Sequence, residues 1–302
     1  MGPDLDTLAT ALYVRIDDLL ADNPDWAPRR PVVGIAPRLT DAELVTLAVI
    51  SALLGYDNES QFVRYAREHL RPWFPYLPHR AGFNKRLRAS ADTIARVIAA
   101  LARECVSWHD DVWLVDSTPI ECGTSRETAK RSGLADWAEY GWCASHSRYF
   151  WGLRLHLIAT PCGLPVAFAL AGAKADERDV CAAMIDRAGL RRPGQTLIAD
   201  KGYRSQAFET DLNDIGITVL RPATRTETPR PGAKLLRPLR QIIESINWTL
   251  KGQLTLERHR GRTPAGVAAR IGIRLLALTA AIWHNQTTHR PGPARSLVAY
   301  DH

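Results

Sequence analysis

Two patterns of apolar spacing divide this chain. Up to about residue 106 the apolar positions recur at helical intervals. "RLTDAELVTLAVISALLGY" carries Thr40 as an N-cap with Glu43 three residues on, then an apolar helix that Gly55 stops. A second helix is predicted from Glu59 to Leu70. After the proline-rich connector "RPWFPYLPHR", the stretch "FNKRLRASADTIARVIAALARECV" reads as one helix or a pair with a basic front, Lys85, Arg86 and Arg88. Short helices with such a front suit a helix-turn-helix-like DNA reader and equally a bundle made only for packing.

From Asp111 the period changes to two. "DVWLVDST" is a strand ending in Asp116, and "YFWGLRLHLIAT" alternates with Trp151, Leu153, Leu155 and Leu157 on one face. "LPVAFALA" follows across the Pro161-Cys162-Gly163 turn, so these three strands form an antiparallel meander. "DERDVCAAMIDRAGL" is a helix capped by Asp176, "QTLIAD" a fourth strand, Ser205 to Asp214 a helix and "ITVLRP" a fifth strand. The order predicts an α/β fold: a mixed five-stranded sheet with flanking helices, preceded by a small all-helical domain. The expected divisions are a helical domain at 1–106, a catalytic domain at 107–290 and a tail at 291–302.

Composition adds bounds. With 46% hydrophobic and 24% charged residues in 302, the chain reads as a soluble globular protein. The longest apolar run, Ile271 to Trp283, is broken by Arg274 and falls short of the ~18 residues of a membrane span, so a cytoplasmic protein without a membrane partner is expected. The five cysteines lack any C-x-x-C pair and read as reduced thiols. Charge is the informative quantity. Residues 221–270 hold eleven Arg or Lys against three Glu, hence +8, while the whole chain is +7. The surplus is therefore local, and it suits a polyanion such as DNA. Part of it lies in the proline-rich stretch "PATRTETPRPGAKLLRP", expected as a mobile basic loop, and Pro238 suits the first turn of the next helix.

That helix, "LRQIIESINWTLKGQL", places Leu239, Ile242, Ile243, Ile246, Leu250 and Leu254 on one stripe and Arg240, Glu244 and Lys251 on a second, a quarter turn away. Glu244 there either faces the strand ends or forms only an exposed i,i+4 pair with Arg240. Asp116 and Asp200 close the first and fourth strands; each alone is as well explained as a turn residue. If those strands are neighbours, the two carboxylates emerge ~5 Å apart and need a positive partner between them. A divalent metal supplies it, and Mg²⁺ takes carboxylate and phosphate oxygens. In "ADKGYRS" Asp200 would then be a ligand, Lys201 a phosphate contact, Gly202 the sharp turn, and Tyr203 a flat face or hydroxyl for nucleic acid.

"VDST", "ADKGYRS" and "RQIIESINWTLKGQL" together resemble the three catalytic segments of the DDE transposases of bacterial insertion sequences. The region "WAEYGWCASHSRYFWGLRLHLIATPCGLPVAFALAGAKADERDV" is similar to the insertion-sequence family nine-eight-two. The resemblance covers roughly residues 110–290. It implies a ribonuclease-H-like fold and a catalytic, metal-binding triad at Asp116, Asp200 and Glu244. It implies two Mg²⁺ ions, replaceable by Mn²⁺, and double-stranded DNA as partner, both the inverted repeats of the element and a target. A homodimer or higher assembly on DNA, nucleoid-associated when bound, is implied as well. The Tyr, Arg, Glu, Lys signature around the third carboxylate is matched by Arg240, Glu244 and Lys251, with Arg237 where the family has Tyr. The implied reaction cuts the element's ends and joins their 3′-hydroxyls to target DNA; a nuclease without strand transfer and an inactive DNA-binding descendant are the alternatives.

Further DNA contacts are expected at Arg258 and Arg260 in the basic stretch. His146, Arg148, Arg154 and His156 border the second strand, and Trp137, Trp142 and Trp151 either stack on unpaired bases or fill the core. Glu121, just beyond the first strand, and Asp179 could substitute as carboxylate ligands, though in the first turn of its helix Asp179 reads first as a partner of the helix dipole.

Overall fold

The computed structural model describes residues 2–30, 36–143, 147–224, 227–228, 232 and 236–300, with Pro3 and Arg237 described by backbone alone. In chain order its helices and strands are α1 Pro3–Asp22, α2 Asp41–Leu53, α3 Glu59–His69, α4 Arg80–Ala89, α5 Ala91–Glu104, β1 Val112–Gly123, α6 Arg126–Arg131, β2 Glu139–Cys143, β3 Arg148–Ala159, β4 Pro165–Gly172, α7 Glu177–Arg187, β5 Gln195–Ile198, α8 Gln206–Asp214, β6 Ile217–Leu220, α9 Leu236–Trp248 and α10 Pro264–Thr287. They form two compact units, residues 1–104 with 250–302, and residues 105–249.

The first unit is helical. Thr40 and Glu43 close the expected capping box on α2. The expected basic-fronted stretch is a pair, α4 and α5, and α5 buries Ile94, Val97, Ile98 and Leu101 at helical spacing. Helix α10 packs on α5, α2 and α4. At 24 residues α10 is longer than the apolar run suggested, and by length and composition it would cross a bilayer, but 83% of its apolar window is buried inside the protein. Spatially, residues 250–302 join the amino-terminal helices, whereas the chain-order reading grouped 107–290.

The second unit is built on one mixed sheet in the order β2-β3-β1-β5-β6, with β4 also pairing β3. β1, β3 and β4 form the expected antiparallel meander, while β1, β5 and β6 run parallel. The sixth strand, β2, was not expected: "EYGWC" is short and pairs only the start of β3, so its alternation has little length in which to show. Trp113, Val115, Ile158, Leu197 and Val219 meet Cys181, Met184 and Ile185 of α7 and Phe208 and Leu212 of α8 in the core. Gly152 faces Glu121 across β1 and β3, and a Cβ there would stand 2.1 Å from the Ile120 carbonyl oxygen. Only glycine lets the two backbones approach so closely. None of the five cysteines is in a disulfide.

Candidate active site

The parallel pairing of β1 and β5 sets the site. Val112, Trp113 and Leu114 lie opposite Thr196, Leu197 and Ile198, so Asp116 and Asp200 each stand two residues past the last pair. Adjacent strands are ~4.8 Å apart, which brings the two carboxylates into one neighbourhood. Asp200 leaves β5 as the cap of a 3₁₀ turn, Lys201–Tyr203, its Oδ1 accepting from the Gly202 N–H at 2.7 Å. Asp116 Oδ1 accepts from the Ser117 N–H at 2.8 Å, and Oδ2 from Asn247 Nδ2 of α9 at 2.7 Å. Burial pushes the Asp116 carboxyl up to about 6; the Asn247 and Ser117 hydrogen bonds oppose that rise, and the charges of Asp200 and Glu177 add to it.

Glu177 is the residue that sequence reasoning missed. Asp176 caps α7 as expected, and Glu177 is the first residue after it. Its Oε1 accepts a short hydrogen bond from Ser117 Oγ and another from Arg154 Nη1 at 3.3 Å. Arg154 also donates to Ser117 Oγ at 2.8 Å and to the Trp142 carbonyl at 2.9 Å. A Cβ on Gly202 would lie 3.0 Å from Asp200 Oδ1 and 3.4 Å from Glu177 Oε2, so the two acidic side chains flank one point. The available signal was the "ADERD" cluster at a helix start directly after the meander. Neither expected substitute takes this place. Glu121 pairs with Arg148 at 3.0 Å, and Asp179 lies in the first turn of α7.

Glu244 does not join the two aspartates. Its side chain is 64% exposed and pairs with Arg240 at 3.2 Å. The residue of α9 that reaches Asp116 is Asn247, one turn on. Among the described residues no three His, Cys, Asp or Glu side chains are grouped so as to hold a metal ion.

The expected DNA contacts divide by exposure. Lys201 and Lys85 are exposed. Arg258 and Arg260 are exposed too, with Asp57 4.0 and 3.2 Å away. Lys251 pairs with Glu257 at 3.2 Å. Arg86 instead holds the helical unit together, donating to the Leu39 carbonyl and to Asp41, both at 2.6 Å. Arg88 packs its stem near Gly266 of α10. Tyr203 corrects an expectation. At 1% exposure its ring belongs to the sheet core, closed to a base, and its buried hydroxyl has no partner among the described residues. His156 is likewise buried, and desolvation followed by the Arg154 charge lowers it to about 4. Trp151 is buried and Trp142 exposed. The Arg237 side chain, His146 and much of the basic loop lie outside the described residues.

The donor set fits a hard divalent cation. Two carboxylates converge with no histidine or thiol among them, and Asp116 is held in a setting that disfavours its charge unless a cation offsets it. Mg²⁺ characteristically binds through one or two carboxylates, with water and substrate phosphates completing its shell.

β1 does not end at Asp116 as the sequence suggested but runs on to Gly123, so Asp116 lies within its strand, just past the stretch paired with β5, and Asp200 lies just past the end of β5. A mixed sheet with flanking helices and two aspartates so placed on neighbouring parallel strands is consistent with a ribonuclease-H-like domain. The chain belongs to the family of the transposase DDE domain, whose model matches residues 107–280, more than half of its length. Enzymes of that family are metal-dependent and cleave or transfer DNA strands. No curated protein matches. Among solved structures, the chain is similar to a piggyBac transposase determined as a synaptic complex with hairpin DNA. The identity is 10% and the TM-score 0.40, over 97% of this chain and 77% of that one. A likeness at that level carries no argument about the site.

Proposed function

We propose that this protein is a transposase that cuts the ends of its own mobile element and joins the freed 3′-hydroxyls to target DNA. The observation that carries the reading is the register of β1 and β5, which sets Asp116 and Asp200 side by side in a DDE domain. The two aspartates hold Mg²⁺, two ions in the working complex. The chemistry those ions supply is activation of an attacking oxygen and stabilisation of charge on the phosphoryl group and the leaving oxygen. Asn247 and the Ser117 N–H orient Asp116, and Lys201, next to Asp200 and exposed, meets a phosphate oxygen of the bound strand.

Glu244 is the third carboxylate in this reading. It lies three residues before Asn247, hence on a neighbouring position of the same helix surface, and Asn247 already reaches Asp116. An exposed pair such as Arg240 with Glu244 contributes only ~0.2–1 kcal/mol, so a bound phosphate can draw Arg240 away and free the carboxylate. A second reading gives the third place to Glu177, favoured by its approach to Asp200 across Gly202. The test is incubation with labelled element ends, a target plasmid and Mg²⁺. Joined products that disappear in Asp116→Asn are expected. Cleavage without joining would leave a plain nuclease, and loss in Glu177→Gln with Glu244→Gln unaffected would favour the second reading.

A further inference from the structure

The hairpin of β2 and β3 carries aromatic side chains that its own packing does not use. Tyr140, Trp142 and Tyr149 are 48%, 47% and 74% exposed. Trp142 lies opposite Tyr149 and Tyr140 opposite Trp151, and cross-strand partners point to one face, so these four form a single strip. Trp142 and Tyr149 meet edge to face with ring centroids 4.9 Å apart. Two observations say what covers the strip. The alternation Tyr149, Trp151, Leu153, Leu155, Leu157 is unbroken along β3, and Leu157 lies opposite Asp116, so the strip is on the same sheet face as Asp116. Helix α6 then brings positive charge to that face. Thr128 and Trp151 both close on the place where a Gly123 Cβ would stand, at 2.9 and 3.3 Å. The helix holds Arg126, Lys130 and Arg131 against one carboxylate, Glu127, which pairs with Lys130 at 3.8 Å and Arg131 at 3.6 Å.

We infer that this strip is a stacking platform for unpaired nucleotides of the DNA strand that leaves the active site, the bases lying on Trp142, Tyr149 and Tyr140 and the phosphates facing α6. The inference rests on the transposase reading and adds a binding surface to it. Flat aromatic faces beside cations are what single-stranded nucleic acid requires, since every base offers a π face and every linkage a charge. Eight residues of β3 separate Tyr149 from Leu157, ~26 Å at ~3.3 Å per residue. At the ~3.4 Å rise of fully stacked bases that is at most about eight nucleotides from the scissile phosphate, fewer where the unpaired strand is extended. Arg154 fixes the hairpin to the site, holding the Trp142 carbonyl with one end of its guanidinium and Ser117 with the other.

The test uses the full chain and sequence-neutral probes, a labelled oligothymidine of about twelve nucleotides and a blunt duplex of the same length, at one fixed salt concentration. The double variant Trp142→Ala/Tyr149→Ala should bind the oligothymidine ~5- to 100-fold more weakly while its duplex affinity stays within about twofold of wild type. Trp142→Phe/Tyr149→Phe should recover most of the loss, because a ring remains. Unchanged oligothymidine affinity, or equal loss on both probes, overturns the inference. So does a double variant that sediments as a smaller species than wild type with single-strand binding intact, since the strip would then be a contact between copies of this chain. Asp116→Asn separates the two ideas. It should bind oligothymidine normally and join no ends; if it joins ends, the catalytic reading fails and the platform result stands.

Discussion

Asp116 and Asp200 are carried by strands, Glu244 by a helix, and the difference in support decides how far each is assembled. The aspartates follow two residues after the last backbone pair of β1 and β5, Leu114 with Ile198, and each is held further by its own hydrogen bonds, Asp116 by the Ser117 N–H and Asn247 and Asp200 by the Gly202 N–H. The helix-borne carboxylate depends on the rotation of α9 and on its own rotamer. Three residues along α9 separate Asn247, bonded to Asp116, from Glu244, bonded to Arg240 in solvent. One half of the site is thus preorganised by the fold, and the other half is left for the substrate to complete.

Substitution should divide along the same line. Asp116→Asn or Asp200→Asn should lower strand joining ~10³-fold or more, the scale of removing a group that acts on the transition state, with or without changes in α9. Glu244→Gln should match them in joining, yet leave the protein's cation affinity unaltered when no DNA is bound. Glu177→Gln should cost ~10–100-fold, the usual effect of losing a group that orients a ligand, and equal loss with Asp116→Asn would move Glu177 into the metal shell itself. In the strand half, Gly152→Ala should destabilise the protein by about 3 kcal/mol or more in denaturant unfolding, because the new methyl meets the Ile120 carbonyl. A change below ~1 kcal/mol would show that β1 and β3 can move apart there.

A smaller effect is readable in the pH dependence of stability of the metal-free protein. Asp116 has its folded pKa raised to about 6 from 3.8, so ionising it on the way up costs stability that is intact below about 4 and lost above about 6. Asp116→Asn should therefore stabilise at pH 8, by at most on the order of 3 kcal/mol, and do nothing near pH 3.5. His156 has the opposite slope. Its folded pKa is lowered to about 4 from 6.5, so stability is lost as pH falls through that window, and His156→Leu should flatten the acid limb of the melting profile. Smallest of all, Arg240→Ala should change stability by less than ~1 kcal/mol, as for any exposed pair.

The strand half was legible in the sequence because its signals are short-range: apolar runs that end in an aspartate, with a turn directly after. Helix α9 was legible as an amphipathic helix with Pro238 near its start, and its buried Ile246 lies on the expected stripe. Which residue of α9 reaches the sheet was not, since a wheel gives angles between side chains without the rotation of the helix about its axis. Tyr203 misled for a related reason. A tyrosine after "DKG" reads as exposed loop, but the 3₁₀ turn capped by Asp200 folds its ring back into the core. Glu177 escaped notice because its neighbourhood is made by Ser117, Arg154 and Gly202, all distant along the chain.

The most direct measurement is Mn²⁺ binding to the protein without DNA, followed by electron paramagnetic resonance for wild type, Asp116→Asn, Asp200→Asn and Glu244→Gln. Wild type and Glu244→Gln should bind the ion alike, while each aspartate variant loses it. Undiminished binding in Asp116→Asn, or loss in Glu244→Gln equal to that in the aspartate variants, would contradict a cation site preorganised by β1 and β5.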